Sequence, residues 1–263
     1  MSTARPVFVV GAGGKTGQAV TRALVARGVP VRTADVDLVT GRGLDEALDG
    51  VRAVYHLAPN VHPDEVGIAR RVVASAGRAG VERLVFHSVL HPHDSAMPHH
   101  LRKADAEEVV RAGGPAWTVL QPAAYQQNLV AGALAGRIAV PYSLDAPFTN
   151  VDLEDVAEVA VRVLTEAGHE SATYELAGPE LTTVRGLAAV ATDVLGRPVT
   201  AVEVDRQDWA AGPGAAQSAQ ARADLLAMFA AYDVGGLVGN PRVLTMLLGR
   251  PPTSWRAVLV RGW

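Results

Sequence analysis

An apolar run, Val7 to Val10, ends directly in Gly11-Ala-Gly-Gly-Lys-Thr-Gly17, and a helical pattern follows at once. Strand, glycine turn and helix in that order leave few folds open. Glycine at 11, 14 and 17 spells GxxGxxG, and Gly13 also permits GxGxxG. Such glycines make the turn tight, let backbone N–H groups approach a diphosphate, and let the helix pack on the strand. Gly11, Gly14, Thr16 and Gly17 are therefore read as a dinucleotide-phosphate cradle. Two readings of Lys15 stand, a phosphate contact or a solvated side chain at the helix start; a cation there opposes the helix dipole unless an anion is present.

The alternation continues. Strands are expected at Val29 to Thr33, Ala53 to Leu57, Leu84 to Ser88 and Trp117 to Leu120, and helices at Leu44 to Leu48, Glu65 to Ala79 and His99 to Ala112. This predicts an α/β fold, a Rossmann-type doubly wound parallel sheet over residues 1–130, with ligands beyond the carboxyl ends of the strands. Residues 131–263 read as a smaller substrate-side lobe mixed with the end of the sheet, the whole forming a single compact unit. Irregular stretches are expected at Ile138 to Leu144 and Pro147 to Val151, and a helix from an Asp152 cap to Leu164, with Asp155 also read as a cap residue. A strand at Tyr174 to Leu176, a helix from Thr183 to Leu195 between a Thr182 cap and Gly196, and an Ala-rich helix reaching Tyr232 complete the lobe. Ala210 to Gln220 is read as a mobile loop.

Composition removes several function classes. The chain is 49% hydrophobic, enough for a buried core. Its formal charge of -3 supplies no basic field, so no nucleic acid is expected. With no cysteine there are no disulfides, thiolate nucleophiles or thiolate metal sites. That composition, the absence of a charged and apolar leader before Val7, and the lack of any apolar run of about 18 residues predict a cytoplasmic protein without a membrane span. Of the 24 basic residues only Lys15 and Lys103 are lysine, the type that titrates where arginine does not.

The ordered set GAGGKTG, LVFHSVLHP, HHLRKADAEEVV, WTVLQPAAYQQNL, VDLEDVAEVA and ATYELAGPE resembles the NmrA-like, atypical short-chain dehydrogenase/reductase family across most of the chain. The resemblance implies an NAD(P)-binding N-terminal domain and a small C-terminal substrate lobe. Family members include reductases, isomerases and catalytically silent nucleotide sensors.

Two departures from the family pattern matter. The stretch between the second strand and DLVTGRGLDEAL is shortened, and the arginine that commonly meets the 2′-phosphate of NADP is missing. In one register Asp35, 18 residues after Gly17, accepts the adenosine ribose hydroxyls and NAD(H) is favoured over NADP(H). In the other, Asp37 is the third-strand aspartate, the adenosine clamp is missing, and cofactor binding is weak or absent. The second departure replaces the family's Tyr-x-x-x-Lys by His99-x-x-x-Lys103. Residues four apart share a helix face, so the geometry survives while the acid changes from a phenol of pKa about 10 to an imidazole near 6.5.

The resemblance implies that Lys103 holds the cofactor ribose while His99 and Ser88 act on the reacting oxygen. Pro59 and Asn60 are expected over the cofactor, and Gln121, Tyr125 and Asn128 facing substrate. His87, His91, His93, His99 and His100 fall close together, but their spacing matches no zinc motif and no metal is expected. Trp117 is read as core. Ser88 lacks a G-x-S-x-G turn, which argues against an acyl-transfer hydrolase. The leading expectation is an NAD(P)-dependent oxidoreductase acting on a small, largely apolar carbonyl or enone, in keeping with secondary metabolism. A non-redox isomerase, lyase or cyclase using His99 and Lys103 as acid–base groups, and a nucleotide-sensing regulator, stand as alternatives. A small-molecule substrate is the expected partner, and a homodimer is left open.

Overall fold

The computed structural model describes residues 5–262. Six strands form one sheet in the order β2-β1-β3-β4-β5-β7, and two further strands pair as β6-β8. The sheet strands are β1 (Val7–Val9), β2 (Val31–Arg32), β3 (Ala53–His56), β4 (Arg83–His87), β5 (Ala116–Pro122) and β7 (Ala172–Leu176). β1 to β5 are parallel and nearly in step, with Val7 beside Val31 and Ala53, Ala53 beside Arg83, and Arg83 beside Ala116. The strand order reverses at β1, so the crevice beyond β1 and β3 is the topological switch point where such sheets bind ligands.

Two compact units share the chain. One takes residues up to His93, then His100–Gln121 and Val156–Tyr174; the other takes Asp94–His99, Pro122–Asp155 and the chain from Glu175 onward. In the first unit, Phe8, Val54, Leu84, Phe86 and Val119 pack against apolar residues of α3 (Glu65–Arg78) and α4 (Pro98–Arg111). The 3.6-residue spacing Ala69, Val72, Ala76 on α3 and Ala106, Val110 on α4 supplies the two stripes. Trp117 lies partly buried against this core, with the Arg111 guanidinium over its ring.

In the second unit, α5 (Gln127–Leu134), α7 (Val184–Leu195) and α11 (Trp255–Arg261) enclose the β6 (Arg137–Val140) and β8 (Thr200–Glu203) pair. β6 overlaps the start of the stretch Ile138 to Leu144, which was expected to be irregular. Its four residues alternate exposed and buried, a pattern too short to register against the surrounding chain. Residues 210–220 are a second correction: α8 (Arg206–Ala211) ends there, a 3-10 turn covers Pro213–Ala216, and α9 begins at Ala219. Asp205 and Ser218 cap the two helices, and Gly214 lies so close under Trp209 that a Cβ would approach its ring to 2.7 Å.

The expected caps are partly redistributed. Thr183, rather than Thr182, caps α7 by accepting from the Gly186 N–H at 3.2 Å, while Gly196 closes the helix at φ 63°. Asp152 does cap α6 (Leu153–Thr165), but it also takes both Arg261 nitrogens and the Gln127 amide. Asp155 is not a cap; its carboxylate anchors Arg250 and Thr253.

Candidate functional site

Beyond β1 the chain folds into the expected turn and enters α1 (Lys15–Ala26). A Cβ at Gly17 would lie 2.2 Å from the Gly11 carbonyl oxygen, and one at Gly11, where φ is 73°, would lie 2.8 Å from the Leu57 oxygen. These two glycines are required by the fold. Gly13 faces open space, with nothing within 4 Å of its Cβ position, and Gly14 meets only the Gly11 oxygen at 3.5 Å. The start of α1 has no side-chain cap and no acid in its first turn. Backbone N–H groups at an uncapped helix start, beside glycines with room above them, suit a diphosphate. The residues present therefore fit a dinucleotide.

A groove of about 850 Å³ runs from Gly11 and Gly13 to Asp35 and Leu38, with Arg22 and Thr33 on its walls. Asp37 is occupied elsewhere: its carboxylate accepts from the Val39 and Thr40 N–H groups and from the Thr40 hydroxyl. Arg71 ties this loop to α3 through the Leu38 carbonyl at 2.8 Å. Pro59 and Asn60 are exposed on the loop between β3 and α3.

Lys103 departs from its expected setting. Its side chain is 6% exposed and its ammonium lies 2.7 Å from the fully buried Glu65 carboxylate. It also donates to the His87 carbonyl at 3.1 Å and sits over the Phe86 ring. Beside it, His56 is completely buried against Phe86, and neither ring nitrogen has a hydrogen-bond partner among the described residues. The His87 ring pairs with the Tyr55 hydroxyl. Burial, reinforced by the Lys103 charge, lowers both His56 and His87 to a pKa of about 3. Ser88 is likewise enclosed, its hydroxyl donating to Glu107, and the Gln121 amide donates to both Glu107 oxygens at 2.8 and 3.1 Å. Of His87 and Ser88, neither opens to solvent.

The remaining expected residues belong to the second unit. His99 is buried in the first turn of α4; Tyr125 is half-buried with its backbone bridged to Val151; Asn128 is exposed in the first turn of α5. His100 contacts the His91 carbonyl at 3.2 Å. Among the described residues no group of three or more His, Asp or Glu side chains is placed to hold a metal ion, and no helix is long and apolar enough to cross a membrane.

The profile of the NmrA-like family matches residues 33–238. The chain belongs to the NmrA-like family. Quinone oxidoreductase 2 of Escherichia coli (strain K12) is 30% identical over 237 residues, covering 89% of this NmrA-like chain and 82% of the relative. A (4-alkanoyl-5-oxo-2,5-dihydrofuran-3-yl)methyl phosphate reductase of Streptomyces griseus is 34% identical over 216 residues, covering 73% and 75%. Among solved structures, the Escherichia coli NADPH-dependent quinone oxidoreductase in complex with NADPH superposes with a TM-score of 0.80 at 26% identity, covering 97% of this chain and 99% of that one.

Three residues at the centre of this NmrA-like protein were missed by sequence reasoning: His56, Tyr55 and Glu65. An acid in the first turn of a helix ordinarily signals a favourable dipole interaction at the surface, so nothing local marks Glu65 as buried. Lysine scarcity and the His99-x-x-x-Lys103 spacing both marked Lys103, but neither showed Glu65 as its partner.

The buried histidines make an acid-stability prediction. In the unfolded chain they protonate near 6.5, whereas in the folded protein they stay neutral down to about 3. Their contribution is therefore complete above about pH 6.5 and declines as pH falls toward 3, by about 1.4 kcal/mol per pH unit for each histidine. Urea midpoints of wild type and His56→Leu between pH 7 and 4.5 should diverge, the variant showing the shallower acid loss. Parallel curves would mean that His56 is not held neutral.

Proposed function

We propose that this chain, an NAD(P)-dependent oxidoreductase, prefers NADH and reduces a small, largely apolar carbonyl or enone. The observation that carries the reading is the single groove holding both the glycine turn and Asp35. A carboxylate at the ribose end accepts hydroxyl hydrogen bonds and repels a 2′-phosphate.

A bound nicotinamide cofactor supplies the hydride. The chain's own residues bind and orient it: turn N–H groups on the diphosphate, Asp35 on the adenosine ribose. His99 remains the proposed proton group, four residues before Lys103 on α4. For Lys103 to hold the nicotinamide ribose, its ammonium must exchange Glu65 for the ligand, so part of the binding energy would go into that exchange. The same ion pair speaks against a non-redox mechanism that needs Lys103 ready as an acid–base group.

Calorimetric titration with NAD, NADH, NADP and NADPH tests the cofactor half. NADH is expected to bind at least about tenfold more tightly than NADPH, and Asp35→Ala to erase that ratio, since a hydrogen bond to a charged group contributes about 1.5–3 kcal/mol. Equal or tighter NADPH binding by wild type would overturn the preference. Oxidation of NADH in the presence of a panel of apolar carbonyls and enones tests the chemistry.

A further inference from the structure

The groove that joins the glycine turn to Asp35 is lined from two elements. The stretch after β2 contributes Asp35, Val36 and Leu38, and residues 33–38 contain no cation. The other lining comes from α1, which contributes Gln18 and Arg22. These two are four residues apart and so share a helix face. The Gln18 amide donates to the Gly13 carbonyl at 2.8 Å, which turns that face toward the phosphate turn. Helical side chains lean toward the helix N-terminus, so the long Arg22 side chain, about two turns into α1, reaches back along the groove. Among the described residues that line it, Asp35 carries the negative charge and Arg22 the positive.

We infer that Arg22 is a specificity-determining residue, which attracts a phosphate on the adenosine ribose and so limits how far Asp35 excludes the 2′-phosphorylated cofactor. The inference rests on the reading that this groove takes the adenosine half of a dinucleotide, and it deepens that reading: two opposed charges, rather than Asp35 alone, set the NADH to NADPH ratio. A guanidinium pairs with phosphate oxygens through two parallel N–H groups, whereas a ribose hydroxyl offers it a neutral acceptor and a bond about half as strong. Arg22 therefore favours the phosphate over the free hydroxyl. Its side chain is exposed, so solvent and salt screen the contact and hold its contribution to about five- to tenfold, of the same order as that of Asp35 and opposite in sign.

Calorimetric titration of the full chain with adenosine 5′-monophosphate and adenosine 2′,5′-bisphosphate tests this end of the groove, because the two probes differ only in the 2′-phosphate. Arg22→Met is expected to weaken the bisphosphate about five- to tenfold and to leave the monophosphate within about twofold. Arg22→Lys, which keeps the charge and loses the planar fork, should fall between wild type and Arg22→Met. Asp35→Ala should bind the two probes about equally, and adding Arg22→Met to it should restore a preference for the monophosphate. Thermal melting of each variant reports folding. Equal losses for both probes in Arg22→Met, no loss for either, or a wild type that binds neither, overturns the inference. NADH and NADPH titration of the same samples keeps the two readings apart. A wild type that prefers NADPH, with the selective bisphosphate loss in Arg22→Met intact, refutes the NADH preference and supports the role of Arg22.

Discussion

Gly17→Ala is expected to abolish nucleotide binding and to destabilise the protein together, whereas Gly14→Ala should impair binding alone. The added methyl at position 17 would stand 2.2 Å from the Gly11 oxygen and 2.8 Å from the Ala12 Cα, both backbone atoms. Neither can move without unfolding the turn. Overpacking typically costs about 1–3 kcal/mol, and a turn displaced to relieve it no longer directs its N–H groups at one point. The affinity loss should exceed about a hundredfold. At position 14 the methyl would meet only the Gly11 oxygen at 3.5 Å, an ordinary contact, and the backbone is already extended at φ -79°. There the methyl occupies room over the helix start that a phosphate would need. Urea unfolding and NADH titration of both variants separate the outcomes. A Gly17→Ala protein with wild-type stability and affinity would mean that the turn is not built as described.

The second large effect concerns Glu65. Removing one partner of a buried ion pair leaves the other charge uncompensated, at a cost of about 3–5 kcal/mol, and Glu65→Ala is expected to fall in that range. Both side chains qualify as buried, at 0% exposure for Glu65 and 6% for Lys103. The double variant Glu65→Met/Lys103→Met should recover most of the loss, because two apolar side chains of similar volume need no partner. The two substitutions are thus expected to be strongly non-additive in a double-mutant cycle read by urea midpoints. A Glu65→Ala midpoint equal to wild type, or simple additivity, would remove the ion pair as a stabilising contact. The pair also sets the threshold that a ligand must overcome to draw Lys103 away.

Much of this protein was legible along the chain. Val7 to Gly17 read as strand, turn and helix because an apolar β-branched run, glycines at that spacing and a helical pattern follow one another directly. The alternation up to Leu120 followed from period and punctuation, and bounds such as Leu44–Leu48 agree residue for residue. The motif order also pointed to the family that the profile match establishes. What periodicity could not convey is which charges would meet. Glu65 and Lys103 lie on different helices, and Ser88 follows β4, Glu107 lies on α4 and Gln121 on β5; packing those helices on the sheet sets their partners. Only there did Asp37 prove to belong to its own loop while Asp35 lined the groove. Local pattern reflects short-range sterics and solvent contrast, which each residue carries with it. The partner of a buried charge is a property of the whole packing, and no single stretch of sequence carries that.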